Sequence, residues 1–120
     1  EIFNAYTQAF GPDGRFQIPE YETAERTSSC HVYALRVNGI SEARRDAIMQ
    51  RIFEQEVSVN VHFIPLPMLT AYKNMGYNIS DYPVAYDNYS REISLPVYYD
   101  LTDEQVRQVC KAVRIGVGEQ

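Results

Sequence analysis

The residues of this 120-residue chain that could do chemistry centre on Asn60 and His62, inside the stretch SVNVHFIPLPM at Ser58–Met68. An imidazole changes charge near neutral pH and can donate or accept at either ring nitrogen, which suits acid–base work or substrate recognition. Val57, Val59, Val61 and Phe63 alternate with Ser58, Asn60, His62 and Ile64, so the stretch reads as a strand with opposed faces. The apolar set is expected to face a core, and the other face carries Asn60 and His62. Pro65 and Pro67 lack the amide hydrogen that a ladder needs and end the strand. The plain alternative is a structural histidine, hydrogen-bonded at a strand end. That reading is stronger still for His31, beside the polar entry of its own strand.

The other reactive types are less pointed. Cys30 and Cys110 read as partly buried reduced thiols in a chain that needs no disulfide. Two histidines and two cysteines show none of the close spacings of a zinc site, so no metal is expected. Seven of the ten tyrosines lie between Tyr72 and Tyr99. Such side chains suit stacking on a sugar or a wet interface, or ordinary half-buried packing. GPDG at 11–14 and GVG at 116–118 lack the strand-to-helix context of a phosphate loop. Neither a nucleophile elbow nor a recognisable Ser/His/Asp arrangement is present. The sequence holds no complete active site.

Composition bounds the rest. The apolar fraction of 45% and charged fraction of 22% are those of an ordinary globular domain, and the length suffices for one core. A net charge of −5 opposes binding to nucleic acid or to an anionic membrane surface. No apolar run approaches the roughly 20 residues of a membrane helix. The chain begins with Glu1 and is expected to be a piece of a longer protein.

Several elements must position Asn60 and His62. Residues 1–10 read as a short helix with Ile2, Phe3, Tyr6 and Phe10 on one side, broken by GPDG. Residues 15–29 are mostly polar and read as an extended connection. Cys30–Val37 is a strand closed by the turn pair Asn38-Gly39. Ser41 caps a helix to about Gln55, with Ala47, Ile48, Ile52 and Phe53 buried and Arg44, Arg45 and Arg51 wet. A short helix at Met68–Met75 ends at Gly76, and Pro83 opens another to Ser90. Glu92–Val97 is the third strand. Thr102 and Gln105 form a capping box for a last helix, stapled by Leu101 and Val106 and stopping near Gly116. The expected fold class is α+β: a small, mainly antiparallel three-stranded sheet with helices packed on one face. A third strand lying antiparallel between the first two would be the split arrangement.

Taken in order, SSCHVYALRV at 28–37, VHFIPLPM at 61–68, AYKNMGY at 71–77 and YPVAYDNYSREISLPVYYDLTDEQV at 82–106 resemble one family. This is the PLP-dependent sugar aminotransferases of the DegT/DnrJ/StrS type. The match extends over 28–114, in the small C-terminal domain of these fold type I enzymes. The resemblance implies that residues 1–29 connect from an absent large domain and that 30–120 form the small domain. It implies amino transfer, usually from glutamate, to a keto carbon of a nucleotide-linked sugar in amino-sugar or polysaccharide biosynthesis. PLP, a homodimer and a cytoplasmic location are implied for the parent protein. The family's PLP lysine belongs to the large domain. The only lysines here, Lys73 and Lys111, lie outside its motif, so no cofactor and no activity are expected of this chain alone. The motif histidine corresponds to His62, near the substrate end of the site, with Phe63 beside it and Asn60 on the same strand. Glu56 and Asn60 stand where the family commonly has Gly, and Pro67 where it often has His, so sugar recognition is expected to differ in detail. Two other readings remain: a stand-alone α+β module that binds a ligand or protein, and a family member that has lost its lysine and regulates.

Overall fold

In the computed structural model residues 1–118 are described. Helix α1 spans Ile2–Phe10, strand β1 Phe16–Gln17, strand β2 Tyr33–Val37 and helix α2 Glu42–Phe53. Short helix α3 follows at Thr70–Asn74, then α4 at Pro83–Arg91, β3 at Glu92–Leu95 and α5 at Asp103–Val117. The class is α+β, with one antiparallel sheet in the order β1-β2-β3. Tyr33 pairs with Leu95, Ala34 with Ser94, Leu35 with Ile93 and Arg36 with Glu92.

The period of two sends Tyr33, Leu35, Val37, Ile93 and Leu95 into the core, all of them buried. Ile48 and Ile52 of α2 join them there, with Val106, Val109 and Val113 of α5. Phe3, Tyr6 and Phe10 of α1 complete it; Tyr6 meets Tyr33 edge-on at 5.1 Å, and Phe10 meets Phe16 at 5.0 Å. Full burial of each such side chain contributes about 1.5–3 kcal/mol. The buried tyrosine hydroxyls are also satisfied: Tyr6 donates to the Pro96 carbonyl at 2.9 Å, and Tyr33 shares a hydrogen bond with Thr7 at 3.0 Å.

The helix signals hold where they are local. Ser41 accepts from the Arg44 amide. Both halves of the Thr102–Gln105 capping box form. Pro83 opens α4, and Gly76 takes φ 93° while Tyr77 donates back to the Tyr72 carbonyl, a Schellman ending to α3.

Four expectations are corrected. The expected strand at 57–64 is not one; only Asn60 bridges, antiparallel, to Ser94. It still lies on the far side of β3 from β2, so the split placement survives as one bridge. Its place as a member of the sheet is taken by Phe16–Gln17, drawn from the expected connection, where Glu22 and Thr27 also bridge, while the expected Glu92 strand forms as β3. The expected 68–75 helix divides into a 3₁₀ turn at Leu66–Met68 and α3. On α2, Ala47 and Phe53 are exposed and Arg45 is buried. Arg45 donates to the Tyr89 and Glu92 carbonyls at 2.8 and 3.2 Å and stacks on Tyr89 at 4.9 Å. Its guanidinium thus supplies a second donor to the Tyr89 carbonyl, which also accepts from the Glu92 amide at the end of α4, and a donor to the Glu92 carbonyl at the start of β3. Periodicity cannot foresee a buried cation held by another element's carbonyls.

Candidate functional site

Strand β3 carries the site. Its alternation gives Ile93 and Leu95 to the core and turns Glu92 and Ser94 to the opposite face. These two are nevertheless 3% and 5% exposed, so their polar atoms require partners within the protein. The segment after α2 provides them. Ser94 and Asn60 exchange both backbone hydrogen bonds, at 2.7 and 3.2 Å. Beyond Asn60 the ladder stops because side chains take its donors. The Asn60 Oδ1 accepts from the Val61 amide at 2.8 Å, and the Glu92 Oε2 accepts from the His62 amide at 3.0 Å. Local side-chain acceptors thereby displace the strand that alternation predicts. The His62–Phe63 peptide is cis.

The His62 ring is held from the same side. Its Nδ1 lies 2.8 Å from the Ser94 hydroxyl, which in turn donates a short hydrogen bond to Glu92 Oε1. A carboxylate, a hydroxyl and an imidazole thus form one chain. Burial pushes the Glu92 carboxyl above its ordinary range, opposed by its hydrogen bonds from Ser94 and from the His62 amide and by the charges of His62 and Arg45. Among the described residues no protein group bonds His62 Nε2. Half-buried, the ring borders an open depression of about 380 Å³, lined also by His31, Asn60, Ser94 and Pro96.

The serine in this chain bridges the acid and the imidazole. A hydrolase triad places the histidine between acid and serine. The arrangement here orients an imidazole.

The structure gathers His62, Asn60 and His31 around one depression. The Phe63 ring stands edge-on to His62 at 4.7 Å, 77% exposed and not in the core as alternation implied. The tyrosines lie mostly elsewhere: Tyr86 and Tyr89 donate to the Glu42 carboxylate at 3.0 and 2.9 Å, joining α4 to α2. Cys30 and Cys110 are free thiols. Among the described residues no group of three acidic, histidine or cysteine side chains could hold a metal. No helix among them is long and apolar enough to cross a membrane. Glu92 and Ser94 were missed. Their signal was present: if EISL pairs beside VNVH, the polar residues of both share one sheet face.

The family model of the DegT/DnrJ/EryC1/StrS aminotransferases matches residues 1–114. The chain belongs to this family. Over 91 residues it is 38% identical to an uncharacterized protein of Methanocaldococcus jannaschii, covering 74% of this chain and 24% of that protein. Over 123 residues it is 36% identical to the spore coat polysaccharide biosynthesis protein SpsC of Bacillus subtilis, covering 95% of this chain and 30% of SpsC. Among solved structures it is similar to Spr1654, a candidate sugar aminotransferase of Streptococcus pneumoniae, in its PMP form. The TM-score there is 0.91 at 36% identity, covering 96% of this chain and 29% of that one. A PLP form of the same protein matches equally well. The chain spans less than a third of the length of these relatives.

The PLP of such a family needs a lysine for its Schiff base and an acid for its pyridine nitrogen. Lys73 on α3 and Lys111 on α5 are both exposed and, among the described residues, neither pairs with a carboxylate. These residues do not fit a PLP seat.

Proposed function

We propose that this chain is the small C-terminal domain of a PLP-dependent aminotransferase that aminates a nucleotide-linked keto-sugar. An amino acid supplies the amino group, and the product enters cell-surface polysaccharide or other amino-sugar biosynthesis in the cytoplasm. Residues 1–29 lead in from a large domain that carries PLP and, through α1 and β1, also pack into the core and sheet of the small domain that 30–120 form. The parent is a homodimer. The observation that carries this reading is near-complete coverage of the chain by the family, at under a third of its relatives' length. The SpsC likeness supports the polysaccharide context.

PLP, when bound in the parent, supplies the carbonyl–amine exchange. The contribution of this chain is recognition. His62, flanked by Asn60 and Phe63, offers an unpartnered Nε2 beside an open depression, and we assign these three residues to the substrate side. The intact protein, incubated with PLP, glutamate and a panel of nucleotide keto-sugars, should yield an amino-sugar nucleotide by mass spectrometry. His62→Ala should lower kcat/KM by at least tenfold, the loss of about one hydrogen bond to substrate. An intact protein that binds no PLP would sink the enzymatic reading and favour a binding or regulatory module. Unchanged kinetics in His62→Ala would remove His62 from the site.

A further inference from the structure

The chain of atoms from Glu92 through Ser94 to His62 admits two proton arrangements. Glu92 Oε2 is taken by the His62 amide, and Oε1 meets the Ser94 hydroxyl. An ionised carboxylate can only accept, so the serine hydrogen points to it and Ser94 Oγ accepts from His62 Nδ1–H. The reverse order needs a proton on Glu92. Around that carboxyl stand the Ser94 hydroxyl, the His62 amide and ring, and Arg45, whose guanidinium donates to the Glu92 carbonyl. Arg36 is its cross-strand partner. Burial raises this carboxyl's hold on a proton, and the two donors into it and the cations on neighbouring elements oppose that. At about pH 8, far above the ordinary carboxyl range, the two donors meet an ionised acceptor.

We infer that Glu92 and Ser94 are positioning residues that keep the His62 proton on Nδ1 and present Nε2 to the substrate as a hydrogen-bond acceptor. The inference rests on the substrate-side reading of His62 above, and it narrows the chemistry. A lone pair at Nε2 takes a hydrogen from a hydroxyl, whereas a phosphate or carboxylate offers none. The group that His62 meets is therefore a sugar hydroxyl and not the diphosphate of a nucleotide sugar. Ser94 and Glu92 reach the substrate only through the imidazole. Fixing a ring's tautomer through its other nitrogen is the established way of defining what the free nitrogen does.

The test is the ring-nitrogen NMR spectrum of the intact protein labelled with ¹⁵N-histidine, at about pH 8, above the ordinary histidine range. His62→Gln identifies the His62 signals. Expected are a protonated, pyrrole-type Nδ1 and an unprotonated, pyridine-type Nε2. Ser94→Ala should move the proton to Nε2, and Ser94→Thr, which retains a hydroxyl, should restore the wild-type pattern. A wild-type Nε2–H, or an unchanged pattern in Ser94→Ala, overturns the inference. UDP-glucose should then shift Nε2 while leaving it unprotonated, and inorganic phosphate should not shift it. Protonation of Nε2 by either probe would overturn the hydroxyl assignment. The expected tautomer with no response to UDP-glucose would uphold the positioning by Ser94 and instead defeat the substrate-side reading of His62.

Discussion

Glu56 shows what one residue costs when it holds a backbone shape that suits another. It ends α2 at φ 59°, donating its amide to the Phe53 carbonyl, and so turns the chain toward Asn60 and His62. In this left-handed region a Cβ crowds the following carbonyl at a cost of roughly 1–2 kcal/mol, which glycine avoids. Glycine returns part of that through its greater freedom in the unfolded chain. Glu56→Gly should therefore stabilise the fold by about 0.5–1 kcal/mol, read from the midpoint of urea unfolding at unchanged slope. An equal or lower midpoint would show that the Glu56 side chain contributes something its exposed position does not reveal. Of the residues around the depression, His62 and Asn60 stand out in the sequence because they are polar within an apolar alternation. Glu92 and Ser94 become legible only once EISL is paired beside VNVH, because their meaning depends on a segment 30 or more residues away covering them.

Elements were legible where their signals are local and opaque where they depend on neighbours. The capping box of α5, the proline start of α4 and the Ser41 cap of α2 each involve groups within a few residues. The 57–64 strand failed because its amides found side-chain acceptors, and β1 was overlooked because two residues carry no period. Gly116 shows the same divide. It reads as a helix stop, yet α5 runs on to Val117 and Gly118 makes the left-handed cap at φ 117°. Gly116 is buried where α5 crosses α2; a Cβ there would lie 2.9 Å from Ile52 Cγ1 and 3.2 Å from the Ile48 carbonyl oxygen. A mid-helix Gly→Ala change ordinarily adds about 1 kcal/mol of helix propensity. Overpacking costs about 1–3 kcal/mol, and here it presses on backbone that cannot rotate away. Gly116→Ala should therefore destabilise by about 1 kcal/mol, visible as a lower thermal midpoint. A higher one would mean that the α2–α5 crossing can widen freely.

At the scale of the whole molecule, α+β class, antiparallel sheet and one core followed from the pattern of elements. The buried charges of Arg45 and Glu92 did not, since nothing in a sequence states that a charged residue will find partners indoors. Stability responds to pH through carboxyls that act in opposite senses: Asp13 and Asp87 are held low at the surface by arginine partners, and Glu92 is raised by burial. Asp13, held by Arg15 through its side chain and backbone, titrates at about 2 instead of 3.8. Its folded-state pKa is depressed, so its contribution is complete above 3.8 and is lost as pH falls toward 2. Glu92 is shifted the other way, chiefly by burial. The folded state then binds the proton more tightly than the unfolded one, so stability falls as pH rises from 4.5 through the raised Glu92 value. The two slopes meet in a stability maximum on the acid side of neutrality. Substitution separates them. In urea unfolding across the pH range, Asp13→Asn should match the wild type only at the acid extreme and fall behind it above the ordinary aspartate range. Glu92→Gln, which keeps an acceptor but no titrating proton, should lack the decline above 4.5. Wild type should therefore gain on this variant as pH is lowered. If the gap between wild type and Glu92→Gln were the same at every pH, Glu92 would have one pKa folded and unfolded, and its burial would carry no linkage to protons.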